Sequence, residues 1–182
     1  MQLAVKSRTE PNAKKVRREG QIPAILYSRG AVGEQILVDA NDWKKLINLV
    51  PKGTLSSKIF ELDLHGKKRK AIVKDVHYHV TTYAVLHLDF EELHEDVEVQ
   101  LRIPVQLMNT VDCAGVKLGG VIRQVVAQLK VRALPRFIPD CFKIDVKEMQ
   151  LGQSKRLSEI EIPPGVKPVD DMNNVAVVIA RR

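Results

Sequence analysis

The sequence predicts a mainly β fold with a few helices: a small β-barrel carrying two or three helices over residues 1–92, then a second β-rich domain over residues 93–182. Three features of the 182-residue chain lead there. Short segments in which every second residue is apolar recur along it, separated by Gly, Pro and Asn. Only two early stretches have helical character. Between the halves lies Glu91-Glu92 to Asp96, an acidic stretch with no apolar period, which marks the domain boundary.

Taken in order, residues 2–8 alternate Leu3 and Val5 against Gln2, Ala4 and Lys6, which reads as a strand ended by Pro11-Asn12. Asn12 caps a short helix, Ala13 to Glu19, closing at Gly20. Its core, Lys14-Lys15-Val16-Arg17-Arg18, has almost no apolar stripe, so most of its surface faces solvent or a partner. Ile22-Pro23-Ala24-Ile25-Leu26-Tyr27 is a continuous apolar run suited to a well-covered strand with Pro near its start. Ile36-Leu37-Val38 is a third strand. Asn41 caps a second helix whose Trp43, Leu46, Ile47 and Val50 fall at i, i+3, i+4 and i+7, with Pro51 and Gly53 stopping it. Ser57 to Leu64 alternates clearly, His65-Gly66-Lys67 supplies a turn, and Ala71–His79 and Ala84–Phe90 complete about six strands. Six strands suffice to close a small barrel and remove exposed edges.

The second half opens on the alternating Val97-Val99-Leu101-Ile103 and Pro104. Further strands fall at about 121–134, 142–146, 155–162 and 174–180, with little helix. The segment Gly115-Val116-Lys117-Leu118-Gly119-Gly120 lacks the Gly-Lys-Ser/Thr ending of a phosphate loop and reads as a β-turn.

Composition narrows the function. No apolar run is long enough to span a bilayer, and Met1–Lys6 lacks the basic-then-apolar pattern of a signal peptide, so a cytoplasmic protein without a membrane partner is expected. Cys113 and Cys141 sit in apolar contexts without zinc-knuckle spacing and read as two buried reduced thiols. The net charge is +7, and residues 1–90 carry 16 Lys+Arg against 9 Asp+Glu, while residues 91–182 carry 13 of each. The excess therefore lies in the first half and points to a polyanion there, while the neutral second half points to protein contacts.

Two constellations carry chemistry. The first is Arg8, Lys14, Lys15, Arg17 and Arg18, followed by Tyr27 and Arg29. Lys14, Arg17 and Arg18 share a helix face and can follow a phosphate backbone, which makes binding salt-sensitive. Tyr27 either presents its ring or hydroxyl to a nucleotide or is a half-buried core aromatic with a wet hydroxyl. The second is His77-Tyr78-His79 with His87-Leu88-Asp89, in which residues two apart share a face. His77, His79, His87 and Asp89 offer ligand types for a metal-dependent hydrolase or sensor. They also suit hydrogen bonds to bases and 2′-hydroxyls, or simply a solvated strand face. No catalytic spacing such as His-Glu-x-x-His is present, no Ser-His-Asp or Cys-His pairing has a recognisable context, and an enzyme is not expected. His65 and His94 read as exposed.

The series Arg8, Lys14-Lys15-Val16-Arg17-Arg18-Glu19-Gly20-Gln21-Ile22-Pro23-Ala24-Ile25-Leu26-Tyr27, Lys74-Asp75-Val76-His77-Tyr78-His79 and His87-Leu88-Asp89-Phe90 resembles ribosomal protein twenty-five of the bacterial large subunit. The second half is similar through Gly115–Gly120, Ile138-Pro139, Ile144-Asp145-Val146 and Leu151-Gly152, which makes the chain resemble the long two-domain form, often called the CTC or general stress protein form. The resemblance implies a first-domain barrel that binds 5S ribosomal RNA in the minor groove of an irregular internal loop, where A-form RNA is open to proteins. It implies phosphate contacts from Arg8, Lys14, Lys15, Arg17 and Arg18, and sugar or base contacts from Tyr27, Asp75, His77, His87 and Asp89. It implies no cofactor, a place on the large ribosomal subunit beside neighbouring ribosomal proteins, and a monomer off the ribosome. A stress-related interaction module with non-specific RNA affinity is the remaining alternative. The chain departs from the family pattern at Ser28, where glycine is usual, at His77, where glutamine is frequent, and at Val80, where proline is common. His77 retains a single hydrogen bond in place of the bidentate pair of a glutamine.

Overall fold

The computed structural model describes residues 1–28, 32–51, 53–64 and 66–181, and Arg29 and His65 of the reading above lie outside these. The chain forms two compact units, Met1–Val97 and Glu98–Arg182.

The first unit contains β1 (Gln2–Ser7), α1 (Ala13–Arg18), β2 (Gln21–Tyr27), β3 (Glu34–Asp39), α2 (Ala40–Leu49), β4 (Ile59–Leu64), β5 (Lys67–Tyr78) and β6 (Val85–Glu92). The six strands close into a barrel in the order β1-β3-β2-β6-β5-β4. The β2–β6 and β1–β4 pairs are parallel and the rest antiparallel. Alternation is the cause: Leu3 and Val5, Ile22, Ala24 and Leu26, and Leu88 and Phe90 all turn inward and are buried. Trp43 of α2 joins them, its ring 6.0 Å from Phe60 and 6.1 Å from Phe90, both in tilted or edge-on contact. Pro23 stands one residue before the β6 pairing begins at Ala24, so its missing N–H interrupts no ladder on that side.

Several local expectations shift. The α2 N-cap is Asp39, whose carboxylate accepts from the Asn41 and Asp42 N–H groups, and Asn41 lies inside the helix. Ser57 belongs to a 3-10 turn, Leu55–Ser57, and its hydroxyl donates to the Thr54 carbonyl, so β4 starts only at Ile59. The strand after the turn begins at Lys67 rather than Ala71. The last barrel strand runs on to Glu92, so Glu91 and Glu92 are strand residues.

The second unit contains β7 (Val99–Met108), α3 (Ala114–Lys117), β8 (Val121–Gln124), β9 (Gln128–Ala133), β10 (Phe142–Asp145), β11 (Ser154–Arg156), β12 (Val166–Pro168) and β13 (Val175–Ala180). They form a four-stranded sheet β10-β7-β9-β12 and a three-stranded sheet β11-β13-β8. β7 runs through Pro104, because β10 pairs only from Val105 onward. The run at 121–134 breaks into two strands, which join different sheets. Residues 157–159 turn as a 3-10 helix instead of extending β11, and β12 had no counterpart in the sequence reading. The Gly-rich segment is a one-turn helix, not a β-turn. A Cβ on Gly120 would stand 2.6 Å from Leu151 Cδ2 and 2.7 Å from the Gly115 carbonyl, so glycine serves close packing there. Cys113 is buried as expected, but Cys141 is only half-buried.

The structural boundary also changes the charge ledger. Met1–Val97 holds 16 basic and 13 acidic residues, a net of +3, and Glu98–Arg182 holds 13 basic and 9 acidic, a net of +4. Glu91, Glu92, Glu95 and Asp96 fall in the first unit, so the neutrality of residues 91–182 does not carry over to the second unit.

Candidate nucleic-acid interface

Strand register assembles one outward-facing row across four barrel strands and the residue that follows β1. The Arg8 N–H donates to the Gln35 carbonyl (3.0 Å), Gln35 is the β-partner of Ile25, Ile25 of Asp89, and Asp89 of Asp75. Gln35, Ile25, Asp89 and Asp75 each adjoin an inward-facing residue and Arg8 continues the outward series Ala4, Lys6 of β1, so the five lie side by side on the barrel's exterior. His77 is the direct partner of His87, their rings 6.1 Å apart and edge-on. The β2–β6 register pairs Tyr27 with Glu91.

The helix α1 packs against β2, anchored by the buried Val16. At about 100° per residue, Lys14 and Arg18 point almost directly away from Val16, while Arg17 and Lys15 lie on opposite flanks. Lys14, Arg17 and Arg18 therefore form one exposed ridge. Lys15 leans the other way and is held by Glu10 (2.9 Å), which pulls the Glu10 carboxyl below its usual range. Asn12 caps the helix as expected, its side chain accepting from the Lys14 and Lys15 N–H groups. Gly20, at φ +77°, takes the left-handed position beyond the helix. Because a six-residue helix has few hydrogen bonds of its own, Asn12→Ala is expected to cost about 1 kcal/mol. A lowered melting temperature followed by tryptophan fluorescence checks this.

Arg8 does two things. Its guanidinium donates to the carbonyls of Glu10 (2.7 Å) and Pro11 (2.6 Å), bracing the turn into α1. Of the five N–H donors of a guanidinium, the others stay available to an anion.

His87 Nδ1 lies 2.6 Å from Asp89 Oδ1, which orients the ring and directs Nε2 outward. Asp75 Oδ1 accepts the Val76 N–H (2.8 Å), and its other oxygen faces His77 Nε2 at 3.7 Å, beyond hydrogen-bond length. Burial, and then the neighbouring Glu91, Asp89 and Asp75 carboxylates, push the Tyr27 hydroxyl above its ordinary pKa of 10.0. Tyr27 thus remains a neutral donor well into alkali. Its folded pKa exceeds the unfolded one, so its contribution to stability is complete below pH 10 and declines above it. Barrel stability is expected to fall less steeply as pH rises above about 10 in Tyr27→Phe than in the parent chain, as read by denaturant titration.

The proposed metal cluster does not assemble. His79 lies beyond the end of β5, and its Nδ1 accepts the Thr81 and Thr82 N–H groups (3.3 and 3.2 Å), fixing the hairpin tip. Among the described residues, no group of three or more His, Cys, Asp or Glu is placed to hold a metal ion. His94 is exposed but engaged, its Nε2 2.5 Å from the Ser28 hydroxyl, so the departure at Ser28 supplies a link that glycine lacks.

Sequence reasoning missed Gln35, Glu91 and Lys74. Glu91 faces outward beside Tyr27 and holds Lys74 Nζ at 2.6 Å across the β5–β6 register shift. The period-two series His87, Asp89, Glu91 was the available signal. The whole arrangement is bipolar. Cations on α1 and at Arg8 suit phosphates, while carboxylates and imidazoles on β5 and β6 suit base edges and hydroxyl groups.

No helix among the described residues is long and apolar enough to cross a membrane. Comparison with known proteins agrees along the whole chain. Residues 3–90 match the Ribosomal L25p family, and residues 98–182 match the C-terminal domain of ribosomal protein TL5. The chain is 48 % identical over 185 residues to the large ribosomal subunit protein bL25 of Chlamydia muridarum, with both chains fully covered. It is 46 % identical to that of Chlamydia abortus and 44 % to that of Chlamydia pneumoniae, again over full length. With barrel, second unit and full-length similarity in agreement, the chain belongs to the L25p family of large-ribosomal-subunit proteins, in its long two-domain form, and is a non-enzymatic component of the ribosome.

Proposed function

We propose that residues 1–92, within the first unit, bind 5S ribosomal RNA, seating the barrel's outward face in the widened minor groove of an irregular internal loop. The observation that carries this reading is the lateral row from Arg8 to Asp75 with α1 beside it. Arg8, Lys14, Lys15, Arg17 and Arg18 take phosphates. Tyr27, His77, His87, Asp75 and Asp89 take sugar hydroxyls and base edges. A-form RNA hides its major groove and presents 2′-hydroxyls and non-standard pairs in a shallow minor groove, which a broad barrel face fits better than an inserted helix. The carboxylates oppose phosphate and accept from amino groups, so their presence within a basic surface supports recognition of bases over simple charge attraction. Off the ribosome the chain is a monomer.

Fluorescence anisotropy with the full chain tests this. Binding to 5S RNA is expected to be tight, salt-dependent and preferred over an unrelated RNA duplex. Equal affinity for both RNAs would leave only a non-specific interaction module, and no binding at low salt would remove the reading altogether.

A further inference from the structure

We infer that the outward face of the sheet β10-β7-β9-β12 in the second unit is a phosphate-binding surface for duplex RNA, a contact separate from the barrel face proposed above. Alternation turns Leu101 and Ile103 of β7 and Leu129 and Val131 of β9 into the core. Their neighbours Arg102, Lys130 and Arg132, with Lys167 of β12 and Lys143 of β10, therefore share the other face. Register sets Arg102 directly opposite Lys130. Arg132 stands between Gln100 and Lys167. Lys143 stands opposite Gln106.

Like charges directly opposite one another destabilise a sheet, and this sheet carries two such pairs side by side. The nearby carboxylates offset only part of this charge, at Lys167. Glu98 holds Lys167 (2.7 Å), Asp145 binds the Asn109 side chain (3.0 Å) and the Lys147 N–H (2.9 Å), and Asp170 accepts the Lys130 backbone N–H (2.8 Å). Lys130 and Arg132 form no ion pair with any described residue. The unit's net charge of +4 agrees with this local excess.

The face favours nucleic acid over an acidic protein because of what it lacks. Protein interfaces centre on aromatic and aliphatic anchors and are depleted of Lys. The outward positions of β7 and β9 here include Gln100, Arg102, Gln128, Lys130 and Arg132, and no aromatic side chain. Cations on adjacent strands and about 7 Å apart along a strand form a flat lattice that tracks a phosphate backbone.

The test uses the full chain and a mixed-sequence RNA duplex, with affinity measured over a range of salt. Lys130→Gln with Arg132→Gln is expected to reduce the slope of log K against log salt by about two, and Lys130→Arg with Arg132→Lys to restore it. Gln100→Lys, which adds a cation to the same row, is expected to steepen the slope by about one and serves if the double variant fails to fold. An unchanged slope in these variants overturns the inference. So does polyglutamate displacing the duplex as readily as a second RNA does, which points to an acidic protein instead. The 5S preference read in parallel separates the two proposals. Its absence alongside altered slopes removes only the barrel reading, and its presence alongside unaltered slopes removes only this one.

Discussion

Phe90→Ala is expected to destabilise the barrel by about 3–5 kcal/mol, a large part of the 5–15 kcal/mol typical of a whole domain. Phe90 is fully buried and meets both Trp43 and Phe60 edge-on, at 6.1 and 6.4 Å. Truncation leaves a cavity bounded by two aromatic rings that cannot collapse without shifting β4, β6 and α2 together. The measurement is direct, because Trp43 is the chain's single tryptophan and its fluorescence reports on this unit. Urea unfolding followed at Trp43 should show a lower midpoint with a similar slope. A loss under about 1 kcal/mol would mean that the three rings do not form the centre of the core. Asp89 is the next residue along β6, so the same variant should also weaken RNA binding, through loss of the strand that carries Asp89 and His87.

The second large effect concerns recognition. His87→Ala is expected to weaken 5S RNA binding by about 5- to 150-fold, or 1–3 kcal/mol, while leaving affinity for an unrelated duplex within about twofold. His87 is part-exposed, and its removal deletes an oriented imidazole without opening the core. It also leaves the Asp89 carboxylate without the partner that fixes its orientation. Arg17→Ala is the comparison. It should weaken both RNAs alike and lower the salt slope by about one, because phosphate contacts position without reading sequence. Equal weakening of both RNAs by His87→Ala would assign the imidazole to the backbone and not to bases.

Much of the barrel was legible because its determinants are local. Leu3 and Val5, or Leu62 and Leu64, alternate plainly with polar neighbours, and Asn12 before a short basic run marks a helix start. Ambiguity arose where two residues offer the same chemistry. Asp39 and Asn41 are both good caps, and only the extended backbone of Asp39 at the end of β3 selects it. The Gly-rich segment has few helix-forming residues. Its single turn is held by tertiary bonds, with the Ala114 and Gly115 N–H groups donating to the Lys147 and Met149 carbonyls. The charge of each unit depended on where the first unit ends, at Val97 beyond β6, which composition does not answer.

The chain's own residues determined which side chains share a face of each strand, that α1 must be mostly exposed, and the mainly β character of both units. A period-two pattern is a property of consecutive residues and needs no partner. Tertiary structure alone decided which strands are neighbours and in what register. Arg8 and Asp75 are far apart in sequence and meet in one row only because burying the apolar faces of six strands closes the sheet on itself. Closure sets β2 parallel to β6, brings Ile25 to Asp89, and so turns four separately readable segments into a single surface.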